Sequence, residues 1–191
     1  MFAYKKNYFL IIESIKDINL SNIKRYNKFK IIYRNLKIKD KFDDLMKFRK
    51  ECKLKSIEFY IANNRRLSVL LKADGIYLSS YNKTFKSLFL KRSNFKIIGS
   101  AHTLSEISLK LKQGCDYILL SKLFYVDYDE KAPFLGTTKF NEYSNKIYKK
   151  LIPLGGIKTT NLNKLKCVNC EGFAILSEIK KKPAKIISRL F

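Results

Sequence analysis

At 191 residues, 46% hydrophobic and 29% charged with only 7 Gly and 3 Pro, the chain reads as one globular domain over 1–191. That composition excludes a disordered tail, a collagen-like repeat and a coiled coil, and no apolar stretch approaches the ~20 residues of a membrane helix, so no membrane partner is expected. The formal charge of +24 attracts polyanions, but 33 of the 40 basic residues are lysines scattered along the chain; with arginine scarce, nucleic acid is not the leading partner.

The N-terminus carries a basic patch before an apolar run, yet that run covers only Tyr8–Ile12 and ends in Glu13. It lacks a small-residue cleavage site, reads as a first strand and places the protein in the cytoplasm. Seven more short, β-rich, nearly uninterrupted runs follow: Lys30–Tyr33, Ile57–Ile61, Gly75–Leu78, Lys96–Gly99, Tyr117–Ser121, Leu151–Gly155 and Gly172–Leu176. Strands buried on both faces have this character. Helix-like stretches lie between them, for example Asp40–Cys52, Thr103–Gln113 and Thr160–Val168. In the second of these, Leu104, Ile107 and Leu111 paint one apolar stripe, and Thr103 with Glu106 forms a capping-box pattern. Eight strand–helix units predict an α/β fold, a single (β/α)8 TIM barrel. The fold typically takes ~250 residues, so several helices must be abbreviated. No G-x-G-x-x-G or P-loop follows the first strand, which argues against an open doubly wound sheet.

Chemistry in such a barrel sits where strands end and run into helices. The predicted ends are strongly polar: Glu13–Ser14, Arg34, Asn63–Asn64, Ser79–Ser80, Ser100–His102, Ser121–Lys122, Gly155–Gly156 and Ser177. Paired glycines after strand 7, with Leu176 and Ser177 after strand 8, fit a phosphate site, because loops 7 and 8 commonly hold phosphate and glycine lets main-chain amides approach an anion. The bland alternative is a turn that needs φ > 0. His102, the sole histidine, can do acid–base work, or it hydrogen-bonds a loop. Lys122 reads as a phosphate partner, a base or a solvated rim residue. Cys167 and Cys170 form a C-x-x-C, but it precedes strand 8 at the opposite face and lacks two further zinc ligands. Only Glu13 is acidic among the ends, so paired-carboxylate and acidic Mg²⁺ chemistry both lack groups.

The segments Ala73-Asp74-Gly75-Ile76-Tyr77-Leu78, Gly99-Ser100-Ala101-His102-Thr103 with Glu106, Gly114 to Ser121, Leu154-Gly155-Gly156-Ile157 and Gly172 to Ser177 stand in the order and spacing of one family. From about residue 30 to 180 the chain resembles the thiamine phosphate synthase/TenI family. The resemblance implies a (β/α)8 barrel and, in the synthase, coupling of a thiazole phosphate to a pyrimidine methyl diphosphate with Mg²⁺. It places the thiazole phosphate at Gly156, Leu176 and Ser177. Arg34 matches the family arginine after strand 2, although its flanking positions read Ile32 and Leu36. The metal-binding aspartates fall on Asn64 and Asn82, which are expected to bind substrate with Arg34, Ser100, Gly155, Gly156, Leu176 and Ser177, and a pyrophosphate-holding stretch falls on Val126, Tyr128 and Asp129. Asparagine is a much poorer Mg²⁺ ligand than a carboxylate. No cofactor is therefore expected, with Mg²⁺ entering only where coupling is retained. The TenI branch, a metal-free thiazole tautomerase, implies an acid–base residue at the position of Lys122. The expected ligand is a phosphorylated small molecule, thiazole phosphate or thiamine phosphate. Tautomerisation, or non-catalytic binding of a phosphate ligand or RNA, are the alternatives to coupling.

Overall fold

The computed structural model describes residues 5–23, 26–35, 40–91, 94–127, 131, 133–147, 150–181, 183 and 187. Each of the eight apolar runs forms a strand: β1 Asn7–Ile12, β2 Phe29–Tyr33, β3 Glu58–Ala62, β4 Gly75–Leu78, β5 Lys96–Ala101, β6 Tyr117–Ser121, β7 Lys150–Leu154 and β8 Gly172–Ile175. Consecutive strands pair in parallel, and β8 pairs back onto β1 to close the barrel. Closure buries both faces of every strand, which is why the runs show no polar alternation. In β1, Phe9 and Ile11 point into the barrel while Tyr8, Leu10 and Ile12 pack outward beneath the helices.

Four crossovers carry α-helices, α1 Phe42–Leu54, α2 Arg65–Leu70, α3 Leu104–Lys112 and α4 Gly136–Lys146, and α5 Ser177–Lys181 follows β8. The connections β1 to β2, β4 to β5 and β7 to β8 use 3-10 turns instead, and this is how eight units fit the length. The helix expected at Thr160–Val168 is one of them, a 3-10 run over Leu162–Cys167. Its buried residues, Leu162 and Leu165, are three apart, and a 3.0-residue turn eclipses such positions.

The expectation for α3 is corrected in two details. Thr103 caps the Glu106 N–H, but the Glu106 carboxylate accepts from the backbone of His102, one residue upstream of the cap. Leu104 is half exposed, and the buried face pairs Ile107 with Lys110.

Inside the barrel, side chains two residues apart along a strand form three tiers. Lys30, Glu58 and Lys96 make a charged floor; Ile32, Tyr60, Ile98, Leu119 and Ile152 fill the middle; Arg34, Ser100 and Ser121 reach the mouth. At the floor, Glu58 Oε2 accepts from Lys30 Nζ at 2.5 Å and Tyr60 Oη at 2.5 Å, while Oε1 accepts from Lys96 Nζ at 2.6 Å. Burial alone raises a carboxyl, but these three donors hold Glu58 down at about 2. Each large apolar side chain buried in the tier above contributes ~1.5–3 kcal/mol.

Candidate active site at the barrel mouth

A cavity of about 650 Å³ opens at the C-terminal ends of the strands. Its apolar depth comes from Leu154, Ala174, Ile175 and Leu176, and its polar wall from Arg34, Tyr77, Ser100, His102, Ser121 and Lys122. Eight of the ten predicted site residues therefore meet in one place: Arg34, Ser100, His102, Lys122, Gly155, Gly156, Leu176 and Ser177.

Arg34 enters just past β2. Its Nη2 lies 3.6 Å from Glu13 Oε1, and its Nε is buried without a hydrogen-bond partner among the described residues. Such a group normally costs ~1–3 kcal/mol. Tyr77 on β4 is 2% exposed; burial pushes its phenol up, and its hydroxyl hydrogen-bonds Ser100. It stays protonated in the wall. His102 presents Nδ1 to Ser121 Oγ at 3.0 Å, so the Ser121 hydroxyl orients the ring.

The turn after β7 packs hard against the segment after β6. Gly155 and Gly156 have φ of +92° and +70°. A Cβ on Gly156 would stand 2.3 Å from the Tyr125 carbonyl oxygen and 2.5 Å from that of Phe124. Leu123 N donates to Leu154 O at 2.9 Å and Phe124 N to Gly155 O at 3.1 Å, locking the two loops together. The twin glycines are thus required by conformation and by close packing. Lys122, half-buried, lies directly against Gly155. Leu176 and Ser177 lead into α5 on the adjoining wall.

Asn64 and Asn82 are placed differently. Asn64 is the N-cap of α2, its Oδ1 accepting from Leu67 N at 2.9 Å. The Asn82 Oδ1 accepts from Thr84 N and Oγ1, both at 3.1 Å, and its Nδ2 donates to Asn63 Oδ1 at 3.0 Å. Neither lines the cavity. Asn63, in the left-handed region at φ 57°, instead organises this corner through Ser79 and Tyr81. These two positions do not fit Mg²⁺. Their oxygens are neutral and taken up by local turns, whereas Mg²⁺ is held by carboxylates in near-octahedral geometry. A cation already stands behind them: Lys110 Nζ, fully buried, donates to the carbonyl oxygens of Ser79 and Asn82 at 2.7 and 2.8 Å and to Gln113 Oε1 at 2.9 Å. Among the described residues, no group of three His, Cys, Asp or Glu side chains is arranged to hold a metal.

Val126 lines the cavity, while Tyr128, Asp129 and Leu36 lie outside the described residues. Tyr77, Asp127, Lys158 and Lys181 also line it, and sequence reasoning missed all four. Cys167 and Cys170 are free thiols beside the start of β8, remote from the mouth. Among the described residues, no helix is long and apolar enough to cross a membrane.

The family model described as thiamine monophosphate synthase matches residues 27–179. A thiamine-phosphate synthase of Clostridioides difficile is 30% identical over 139 residues, covering 71% of this chain and 65% of the relative. One from Prochlorococcus marinus subsp. pastoris is 28% identical over 140 residues, covering 73% and 40%. The chain thus spans less than two thirds of the length of these curated relatives. In fold it is similar to a thiamine phosphate pyrophosphorylase from Pyrococcus furiosus, with a TM-score of 0.71 at 15% identity over 99% of this chain and 98% of that one. With the family match running from just before β2 into α5, and so across nearly every loop that builds the mouth, the chain belongs to the thiamine monophosphate synthase family.

Proposed function

We propose that this chain acts in thiamin biosynthesis by binding a thiazole-phosphate-like molecule in the barrel mouth. The phosphate lies against the Gly155–Gly156 turn and Leu176–Ser177, and the ring faces Arg34, Tyr77, Ser100 and His102. The observation that supports this reading is the single cavity wall that gathers these residues, apolar in its depth and cationic at its rim. The donor left unsatisfied on Arg34 adds a reason for a polar ligand atom beside it.

For chemistry, the geometry favours proton transfer on the bound ring over metal-dependent coupling. Coupling to a pyrimidine diphosphate draws on carboxylates at positions 64 and 82, and here two asparagines hold loop turns instead. Moving a proton between two ring atoms needs an acid–base group and no metal. Lys122 is that group in this reading, next to the Ser121–His102 pair that lines the same wall.

A thermal-shift panel of thiazole phosphate, thiamine phosphate and pyrophosphate, each with Mg²⁺ or with EDTA, tests this. Stabilisation by thiazole phosphate that is indifferent to EDTA is the expected result, ~2.7 kcal/mol at a hundredfold excess over Kd. Lys122→Ala should keep the shift and lose tautomerisation of the thiazole; unchanged turnover removes Lys122 from the mechanism. Mg²⁺-dependent coupling by the unaltered chain would overturn the preference for proton transfer. No shift from any of the three, with a steeply salt-dependent polynucleotide complex, would favour an RNA-binding barrel.

A further inference from the structure

Two loops and a helix bring an ion-pair cluster to one edge of the cavity. Asp127 comes from the segment after β6, Lys158 from the turn after β7 and Lys181 from the end of α5. Lys158 Nζ donates to Asp127 Oδ1 at 2.5 Å, and Lys181 Nζ stands 3.7 Å from Oδ2. One carboxylate thus serves two ammonium groups. The cluster is open to water, with side-chain exposures of 33% for Lys158, 61% for Lys181 and 52% for Asp127. Ion pairs this exposed are weak and exchange readily. The other carboxylate on the wall, Glu178, is engaged elsewhere, with its Oε2 3.4 Å from the amide of Thr159.

A phosphate group carries more charge than a carboxylate and offers three acceptor oxygens in one compact head. It can engage both lysines at once in charge-assisted hydrogen bonds, and the carboxylate holding them is easily lost to solvent. We infer that Asp127 is a resident counter-ion which the ligand's phosphate-type anion displaces from Lys158 and Lys181, making these two lysines determinants of anion recognition. This rests on the reading that the mouth binds a phosphorylated ligand, and it adds residues that the twin-glycine turn does not require. Partner exchange also ties the loops after β6 and β7 and helix α5 to whether the mouth is filled.

Calorimetric titration with inorganic pyrophosphate, at fixed ionic strength and in EDTA, tests the exchange. Asp127→Asn removes the competitor and should tighten binding about two- to fivefold, while Lys158→Met and Lys181→Met each weaken it by a similar factor. In a Lys158→Met/Lys181→Met background, adding Asp127→Asn should bring no gain, since the partners it frees are gone. Glu142→Gln controls for net charge: it removes one negative charge from α4, where Glu142 binds Lys146 at 2.6 Å, and should leave the affinity unchanged. The inference is overturned if Asp127→Asn leaves the affinity unchanged or lowers it. It is equally overturned if the gain persists without the lysines, or if Glu142→Gln reproduces it. Pyrophosphate binding at full strength to both lysine variants refutes the inference and leaves phosphate binding in the mouth standing. Failure of pyrophosphate to bind either the unaltered chain or Asp127→Asn overturns the inference; the reading of the mouth as a phosphate-ligand site falls with it only when thiazole phosphate gives no thermal shift either.

Discussion

Glu58 and Arg34 are charged side chains within the same barrel, and their surroundings treat them in opposite ways. Glu58, at the floor, accepts from Lys30, Lys96 and Tyr60 and is satisfied within the protein. Arg34, at the mouth, has a loose 3.6 Å contact with Glu13 and a buried Nε with no acceptor among the described residues. The polar floor therefore belongs to stability, while the polar mouth holds capacity that the fold does not use. A barrel of this kind separates the two tasks by direction along its axis.

The sharpest way to break the comparison is Glu58→Gln. It strands the nearly buried ammonium of Lys30, whose side chain is 6% exposed, and should lower the unfolding free energy by ~3 kcal/mol in urea denaturation. Thiazole phosphate affinity of the folded protein should not change; a large loss there would mean that floor and mouth are coupled. The same carboxylate sets an acid limb. Its folded pKa of about 2 lies below the ordinary 4.5, so its contribution is complete above about pH 4.5 and is lost as the pH falls through about 2. This limb should amount to ~2 kcal/mol and be missing in Glu58→Gln.

At the mouth, Gly156→Ala sets a Cβ against the Phe124 and Tyr125 carbonyl oxygens at φ +70°. A destabilisation of ~2 kcal/mol should be accompanied by roughly tenfold weaker phosphate binding, because the turn itself shifts. The smallest effect on folding is expected for Arg34→Met, which removes the unsatisfied Nε and the contact with Glu13 together, so that gain and loss offset. Stability should stay within ~0.5 kcal/mol, while calorimetry shows thiazole phosphate binding about tenfold weaker.

All eight strands were legible because closure demands two apolar faces, and runs such as Tyr117–Ser121 are long enough to show it. The mouth was legible in outline for the same reason, since a residue just past a strand end has one direction to go. What escaped depended on hydrogen bonds and on loops meeting in space. Asn64 spends its oxygen on Leu67, three residues along, an ordinary cap that the sequence alone does not separate from a ligand-binding asparagine. Lys158 and Lys181 meet Asp127 from a separate loop and from helix α5, and in a chain with 33 lysines nothing local distinguishes them. The 3-10 run at Leu162–Cys167 has the sequence pattern of an α-helix because two buried leucines three apart suit either geometry.

Lys110 has a consequence of a different kind. Its ammonium is wholly covered and holds the carbonyl oxygens of Ser79 and Asn82 beneath the loop after β4. An amine-acylating reagent at neutral pH should mark the exposed lysines quickly and spare this one while the loop stays docked. The rate at which Lys110 finally becomes labelled is then a clock for opening of that side of the barrel, readable by mass spectrometry on the unaltered protein.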